Sequence, residues 1–188
     1  MNVLVSDTSI IIDLERSSLL REAFALPVQF VVPDLLYERE LRDHGGPGLI
    51  DLGLRVESLE EADVQRAQHY RLANSRLALP DTFALALARS RSWILLTGDG
   101  LLRSLALAEN VECHGVLWLI DRMHAKCIAT AATLHAGLQS LAGHPRCRLP
   151  HAEIAVRLEA LANQIRLDNV AASAPVANPP EPEPNNGK

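Results

Sequence analysis

The chain has 188 residues, 48% of them apolar, enough for a buried core in one domain, and its net charge of −5 excludes any global attraction to polyanions. No apolar stretch approaches the roughly 20 residues of a membrane span. The apolar run after Met1 is broken by Asp7, which does not fit a signal peptide, and the odd set Cys113, Cys127 and Cys147 has no Cys-x-x-Cys pair. A soluble, cytoplasmic protein with free thiols is expected.

Residues 2–6 form a short apolar run of the kind that makes a central parallel strand, buried on both faces. It ends in Ser6-Asp7-Thr8-Ser9, and a helix is expected from Ser9 to about Arg21. Val28 to Val32 reads as a second strand. Pro33-Asp34 then opens a helix to about residue 43, since proline and an acidic residue suit a first turn. His44-Gly45-Gly46-Pro47-Gly48 reads as a turn, because it follows a helix and lacks the Gly-Lys-Ser/Thr of a phosphate loop. A third strand is expected at 54–58 and a polar helix from Glu60 to Leu72, with Val64 and Ala67 inward.

Leu79-Pro80-Asp81 starts the next helix, to about Arg91. Strand four is expected at 93–97, ending in Gly98-Asp99-Gly100, followed by a helix over 101–108 and a fifth strand over about 111–116. The alternation predicts an α/β fold of three layers, α/β/α, around a central parallel five-stranded sheet of order 3-2-1-4-5. In that order the chain reverses between strands one and four, where ligand crevices form, and these strands end in Asp7 and Asp99.

The expected domain layout is 1–120 for the α/β unit, 121–167 for a helical extension and 168–188 for a disordered proline-rich tail. Leu117 to about Leu141 reads as mostly helical. A last helix after Leu149-Pro150 carries Ile154, Leu158, Leu161 and Ile165 on one stripe. That stripe covers the sheet or offers a surface to a partner. It motivates a second reading of the chain, as a non-catalytic interaction or regulatory module that dimerises or binds through its C-terminal helices.

The chemistry sits in four acids, Asp7, Glu38, Asp81 and Asp99, each at a strand end or near a helix start along one sheet edge. Converging carboxylates repel, and Mg2+ or Mn2+ is the natural partner because both are hard ions that take oxygen ligands. One or two such ions activate a water and stabilise the leaving oxygen of a phosphodiester. Ser9 and Thr97 are the supporting hydroxyls, with Thr8 a weaker one. For each acid taken singly the competing reading is a helix cap or a solvated loop residue. Asp13, Asp34, Glu40 and Asp43 read as helix-surface or cap charges. An aspartyl-phosphatase would want a second aspartate where Ser9 stands. A receiver domain would want a lysine near 111–118, where there is none.

These stretches carry a resemblance. Asp7-Thr8-Ser9-Ile10-Ile11-Ile12-Asp13-Leu14 resembles the opening of PIN-domain ribonucleases, and Val32-Pro33-Asp34-Leu35-Leu36-Tyr37-Glu38 their second acidic motif. Leu79-Pro80-Asp81 with Ala84-Leu85-Ala86-Leu87-Ala88 resembles the third, and Leu95-Leu96-Thr97-Gly98-Asp99 with Leu102-Arg103 the fourth. The resemblance covers residues 2–120 and implies a Mg2+- or Mn2+-dependent endonuclease acting on RNA. For the toxin-type members it further implies a cognate antitoxin partner. The family usually sets its second acid directly before a leucine. Glu38 has the better spacing from the strand, whereas Glu40 precedes Leu41; Glu38 is preferred and Glu40 kept as a supporting residue. Arg71, Arg76, Arg89, Arg91 and Arg103 are the candidates for RNA-phosphate contacts, Arg103 first because it follows Asp99.

Overall fold

The computed structural model describes residues 2–173. Five strands form one parallel sheet: β1 (Asn2–Ser6), β2 (Val28–Pro33), β3 (Arg55–Glu57), β4 (Ile94–Leu96) and β5 (Cys113–His114). Their order is β3-β2-β1-β4-β5, as the sequence predicts. Leu4 is in register with Phe30 of β2 and Ile94 of β4, which puts the carboxyl ends of β1 and β4 side by side.

Alternation along the strands divides the core in two. Leu4, Phe30, Val32 and Leu96 face one layer, where they pack with Ile10 and Leu14 of α1 (Thr8–Arg16) and with Ala23 of α2 (Leu20–Phe24). Val5, Val31 and Leu95 face the other, against α5 (Glu61–Ala73), α6 (Leu79–Arg91) and α7 (Gly100–Ala108). Strands covered on both faces need unbroken apolar runs, and β1 and β4 have them. In α6, every residue from Thr82 to Ala88 is buried. The small alanines let this helix lie close to the sheet, and that fixes the position of Asp81 in its first turn.

Several elements depart from the sequence expectations. The single helix expected from Ser9 to Arg21 is two, because Ser18 turns the chain in a left-handed conformation (φ 56°) between α1 and α2. Gly137 of α9 (Ala131–Gly143) crosses this turn closely: a Cβ there would lie 2.7 Å from Leu19 Cδ1 and 2.9 Å from the Ser17 carbonyl oxygen. The helix expected over 34–43 starts as α3 (Asp34–Leu36) and continues as a π-helical turn, Tyr37–Leu41. A short α4 (Gly46–Asp51) follows. β5 pairs over two residues rather than six.

The C-terminal helices share the first core layer. The boundary expected at 120/121 falls inside α8 (Val116–Ala125), and Leu134, Leu138 and Leu141 of α9 pack in the same cluster as Leu4 and Ile10. Ile154 and Leu161 of α10 (His151–Ser173) are buried there, and Leu158 and Ile165 pack against them. The stripe offered to a partner in the second reading is therefore taken up internally. α10 also runs through Asp168 to Ser173, past the expected start of the tail; the rest of the proline-rich segment lies outside the described residues. Among the described residues no helix is long and apolar enough to cross a membrane.

Candidate active site

Asp7 ends β1 and is the N-cap of α1, accepting from the Ile10 N–H at 3.1 Å. It is 2% exposed. Ser9 Oγ donates to it at 2.6 Å, and the buried Thr97 hydroxyl donates to its other oxygen. Burial pushes the Asp7 carboxyl up, and the bonds from Ser9, Thr97 and the Ile10 N–H pull against that by favouring the charged form. The two hydroxyls also tie the strand ends together. Ser9 Oγ accepts from the Gly98 N–H at 3.0 Å, and Thr97 Oγ1 accepts from the Asp99 N–H at 3.0 Å. Position 98 must be small, since a Cβ would stand 3.0 Å from Ser9 Oγ.

Asp99 caps α7 through the Leu102 N–H at 2.8 Å. Two of the acids are thus N-caps of helices that leave adjacent strands in the same direction, the geometry the strand order imposes. Asp81 enters from α6. It is the third helical residue, in the first turn after the N-cap Ala78, whose backbone N–H favours its charged form. Its carboxyl is pushed up to about 6, by desolvation first, then by the charges of Asp7 and Glu40 and more weakly by Asp99. Asp81 therefore feels the three other carboxylates together.

The fourth acid of this group is Glu40, not Glu38. Glu40 accepts from the Thr8 hydroxyl beside Asp7, whereas Glu38 is on the exposed side of the turn, paired with Arg42. The cause is local. Residues two apart on a helical turn point to nearly opposite sides. The π-helical turn, closed by Arg42 N–H to the Tyr37 carbonyl at 2.8 Å, buries Leu36 and Leu41 together and leaves Glu40 on the cleft side. The leucine following Glu40 is the signal in the sequence that marks it.

Three of the acids, Asp7, Asp81 and Asp99, line a cleft of about 340 Å3 with Ser9, Asp13, Arg16, Arg146 and Arg148. Asp13, expected as a surface charge, lies four residues after Ser9 on the same face of α1 and 3.7 Å from Arg16. Burial pushes its carboxyl up, countered by Arg16 and His144. Arg146 and Arg148 come from the α9–α10 connection, and nothing in local spacing links them to Asp7. A larger hollow of about 610 Å3, beside Glu15 and Gly45, contains none of the four acids.

Several of the arginines expected to contact RNA have partners within the chain. Arg103 donates to the Thr97 carbonyl at 2.8 Å and so braces the end of β4. Arg89 and Arg91 are in the last turn of α6, where they pair with Glu109 and Glu60. At ~1.5 Å rise per residue that is over 10 Å along the helix from Asp81. Arg71 bonds to the Ser75 carbonyl.

Among the described residues no three His, Cys, Asp or Glu side chains form a ready-made metal cage. The donor set still fits a hard divalent cation. It is all oxygen, and the raised Asp81 carboxyl marks an excess of negative charge that a cation would relieve. Such ions keep several waters and need only one or two carboxylates directly.

No curated protein matches the chain. Among solved structures, it is similar to a PilT N-terminus domain protein, SSO1118, of the hyperthermophilic archaeon Sulfolobus solfataricus P2. That likeness is at 13% identity with a TM-score of 0.45, covering 65% of this chain and 93% of the other. A family model described as a PIN domain, DUF3368, matches residues 3–163, so that α9 and most of α10 lie within it. The chain belongs to this PIN-domain family.

Proposed function

We propose that this protein is an endoribonuclease that depends on Mg2+ or Mn2+, with Asp7, Glu40, Asp81 and Asp99 as the residues that would hold the cation. PIN domains are generally nucleases. The single observation that carries the reading is the electrostatic coupling of Asp81 to Asp7, Glu40 and Asp99 at the carboxyl edge of β1 and β4. A bound divalent cation supplies Lewis-acid polarisation of the phosphate and a water of lowered pKa. The protein's own contribution is placement. Ser9 and Thr97 fix both oxygens of Asp7 and pull against the upward push that burial gives its carboxyl. Thr8 holds Glu40, and the buried run of α6 fixes the first turn that carries Asp81. Asp81, raised to about 6, is placed to gain or lose a proton within about a unit of neutrality.

Purified protein should cut labelled RNA in Mg2+ or Mn2+ and stop in EDTA. Asp7→Asn should slow cutting on the order of a hundredfold or more. Asp7→Asn cutting as fast as the parent would refute the site.

The finer assignment, a toxin restrained by an antitoxin, rests on the resemblance of the acidic motifs to toxin-type PIN nucleases. Its test is growth. Inducing the wild-type chain should arrest cells, Asp7→Asn should not, and co-expression of a small neighbouring reading frame should restore growth. Growth unaffected by the wild-type chain would remove the toxin assignment and leave the nuclease assignment in place.

A further inference from the structure

The cleft that holds the acids is also bordered by two arginines from a different part of the chain, Arg146 and Arg148. They sit on the α9–α10 connection. In this short segment Cys147 and Leu149 pack against the core, while Arg146 and Arg148, which alternate with them, stay exposed. The segment is anchored. The Arg146 N–H bonds to His144 Nδ1 at 3.1 Å, and the Cys147 N–H bonds to the His144 carbonyl at 2.9 Å.

Most of the other arginines already described are engaged. Arg16 pairs with Asp13, Arg103 with the Thr97 carbonyl, Arg89 with Glu109 and Arg91 with Glu60. Among the described residues neither the Arg146 nor the Arg148 guanidinium makes a hydrogen bond or ion pair, although both line a cleft with carboxylates. Two free planar guanidiniums beside an acidic group are matched to a polyanion that must be held against that group's repulsion.

We propose that Arg146 and Arg148 bind consecutive phosphates of a single-stranded polynucleotide and lay it along the acidic cleft, which makes the α9–α10 connection the substrate-holding element of the site. This rests on the nuclease reading above and adds the source of affinity. The contact is to the backbone, so it reads charge and not base or sugar.

The test is binding, measured on the full chain by fluorescence polarisation with short fluorescein-labelled oligouridylate and oligothymidylate, in Ca2+. Each phosphate contact to a single strand contributes about 0.7 to the slope of log affinity against log salt, so two contacts contribute about 1.4. Arg146→Gln with Arg148→Gln should therefore flatten the slope by about 1.4 and weaken binding about 25-fold at about 0.1 M salt, equally for both strands. Arg146→Lys with Arg148→Lys should keep the slope, because the charge is retained. Both side chains are exposed, so the melting temperature should not move. If the glutamine pair does lower it, the lysine pair decides: a slope lost with lysine overturns the proposal.

Wild-type affinity and slope in the glutamine pair, in protein that still cuts RNA, would overturn the proposal and leave the acidic site standing. A loss confined to oligouridylate would overturn it too, by pointing to the 2′-hydroxyl in place of the phosphate. A wild-type chain that neither binds nor cuts would remove both readings.

Discussion

Asp81→Asn should make the cation-free protein more stable while disabling its cleft. The substitution keeps the shape of the side chain in the first turn of α6. What it removes is a charge held among other negative charges in a half-buried position. The Asp81 carboxyl is raised from 3.8 to about 6. A shift of roughly two units corresponds to about 3 kcal/mol at a pH above both values. Asp81 is in partial contact with solvent, so screening reduces this to ~1–2 kcal/mol. For a chain of this size each kcal/mol moves the melting temperature about 2–4 °C, so a rise of about 4 °C is expected near pH 8.

The pH dependence has a definite sign. The folded state holds the proton more tightly than the unfolded state, so the Asp81 contribution is fully favourable below 3.8 and is lost as pH rises through about 6. The gap between variant and parent should accordingly narrow below about pH 6 and close near the unfolded-state value. Thermal unfolding followed by circular dichroism in EDTA, across this range, measures it. Adding Mg2+ supplies the second arm. At about 100 times its dissociation constant a cation bound only to the folded state stabilises by about 2.7 kcal/mol, which the parent should show and the variant should largely lack. An Asp81→Asn protein that melts at or below the parent near pH 8 would refute the claim that the carboxylates repel one another there.

Three further outcomes follow from the geometry. Glu40→Gln should slow RNA cleavage on the order of a hundredfold, whereas Glu38→Gln, which loses only an exposed pair with Arg42, should leave it nearly unchanged; the reverse result would mean that the π-helical turn has been misread. Gly137→Ala should cost about 1–3 kcal/mol in urea unfolding, because the new methyl meets Leu19 and the Ser17 carbonyl at the crossing of α9 over the α1–α2 turn. Leu161→Ala, which empties a buried position of α10, should cost about 2–5 kcal/mol in the same experiment; a change near zero would show α10 detached from the core in solution.

The sheet was legible because its strands are short apolar runs broken by turn chemistry, and because parallel crossovers leave few orders to choose from. Asp7 and Asp99 were legible for the same reason: each ends such a run and begins a helix. What the sequence could not carry was anything that departs from 3.6-residue periodicity or depends on distant chain. Spacing from β2 favours Glu38, but the π-helical turn over Tyr37–Leu41 leaves Glu38 exposed beside Arg42 and brings Glu40 to Thr8. The break at Ser18 was missed because Ser17 and Ser18 carry no glycine or proline; the left-handed residue there is a serine. Arg103 was favoured as an RNA contact by its nearness to Asp99 in sequence, but it is turned onto the Thr97 carbonyl. Arg146 and Arg148 reach the cleft only because α9 and α10 fold back onto the sheet, a long-range fact that no local pattern encodes.

The same folding-back explains why the last helices belong with the PIN-domain unit. A group of carboxylates that repel one another pushes its own elements apart, so the surrounding core must hold those elements in place. The sheet does this for Asp7 and Asp99 through burial on both faces, and α6 does it for Asp81 through its run of buried residues. The α9–α10 connection has no sheet to hold it. Its position is set by α10, which is pinned by Ile154 and Leu161 in the core and by Arg157, whose guanidinium spans Asp121 of α8 at 2.7 Å and Glu153 at 2.7 Å. Cutting the chain back to the α/β unit would remove Leu134, Leu138 and Leu141 from the layer that supports α1, and with them the helix that Asp7 caps. Asp7, at the head of α1, and the two arginines are therefore held by one hydrophobic layer, and loss of the C-terminal helices should weaken cation binding as well as substrate binding.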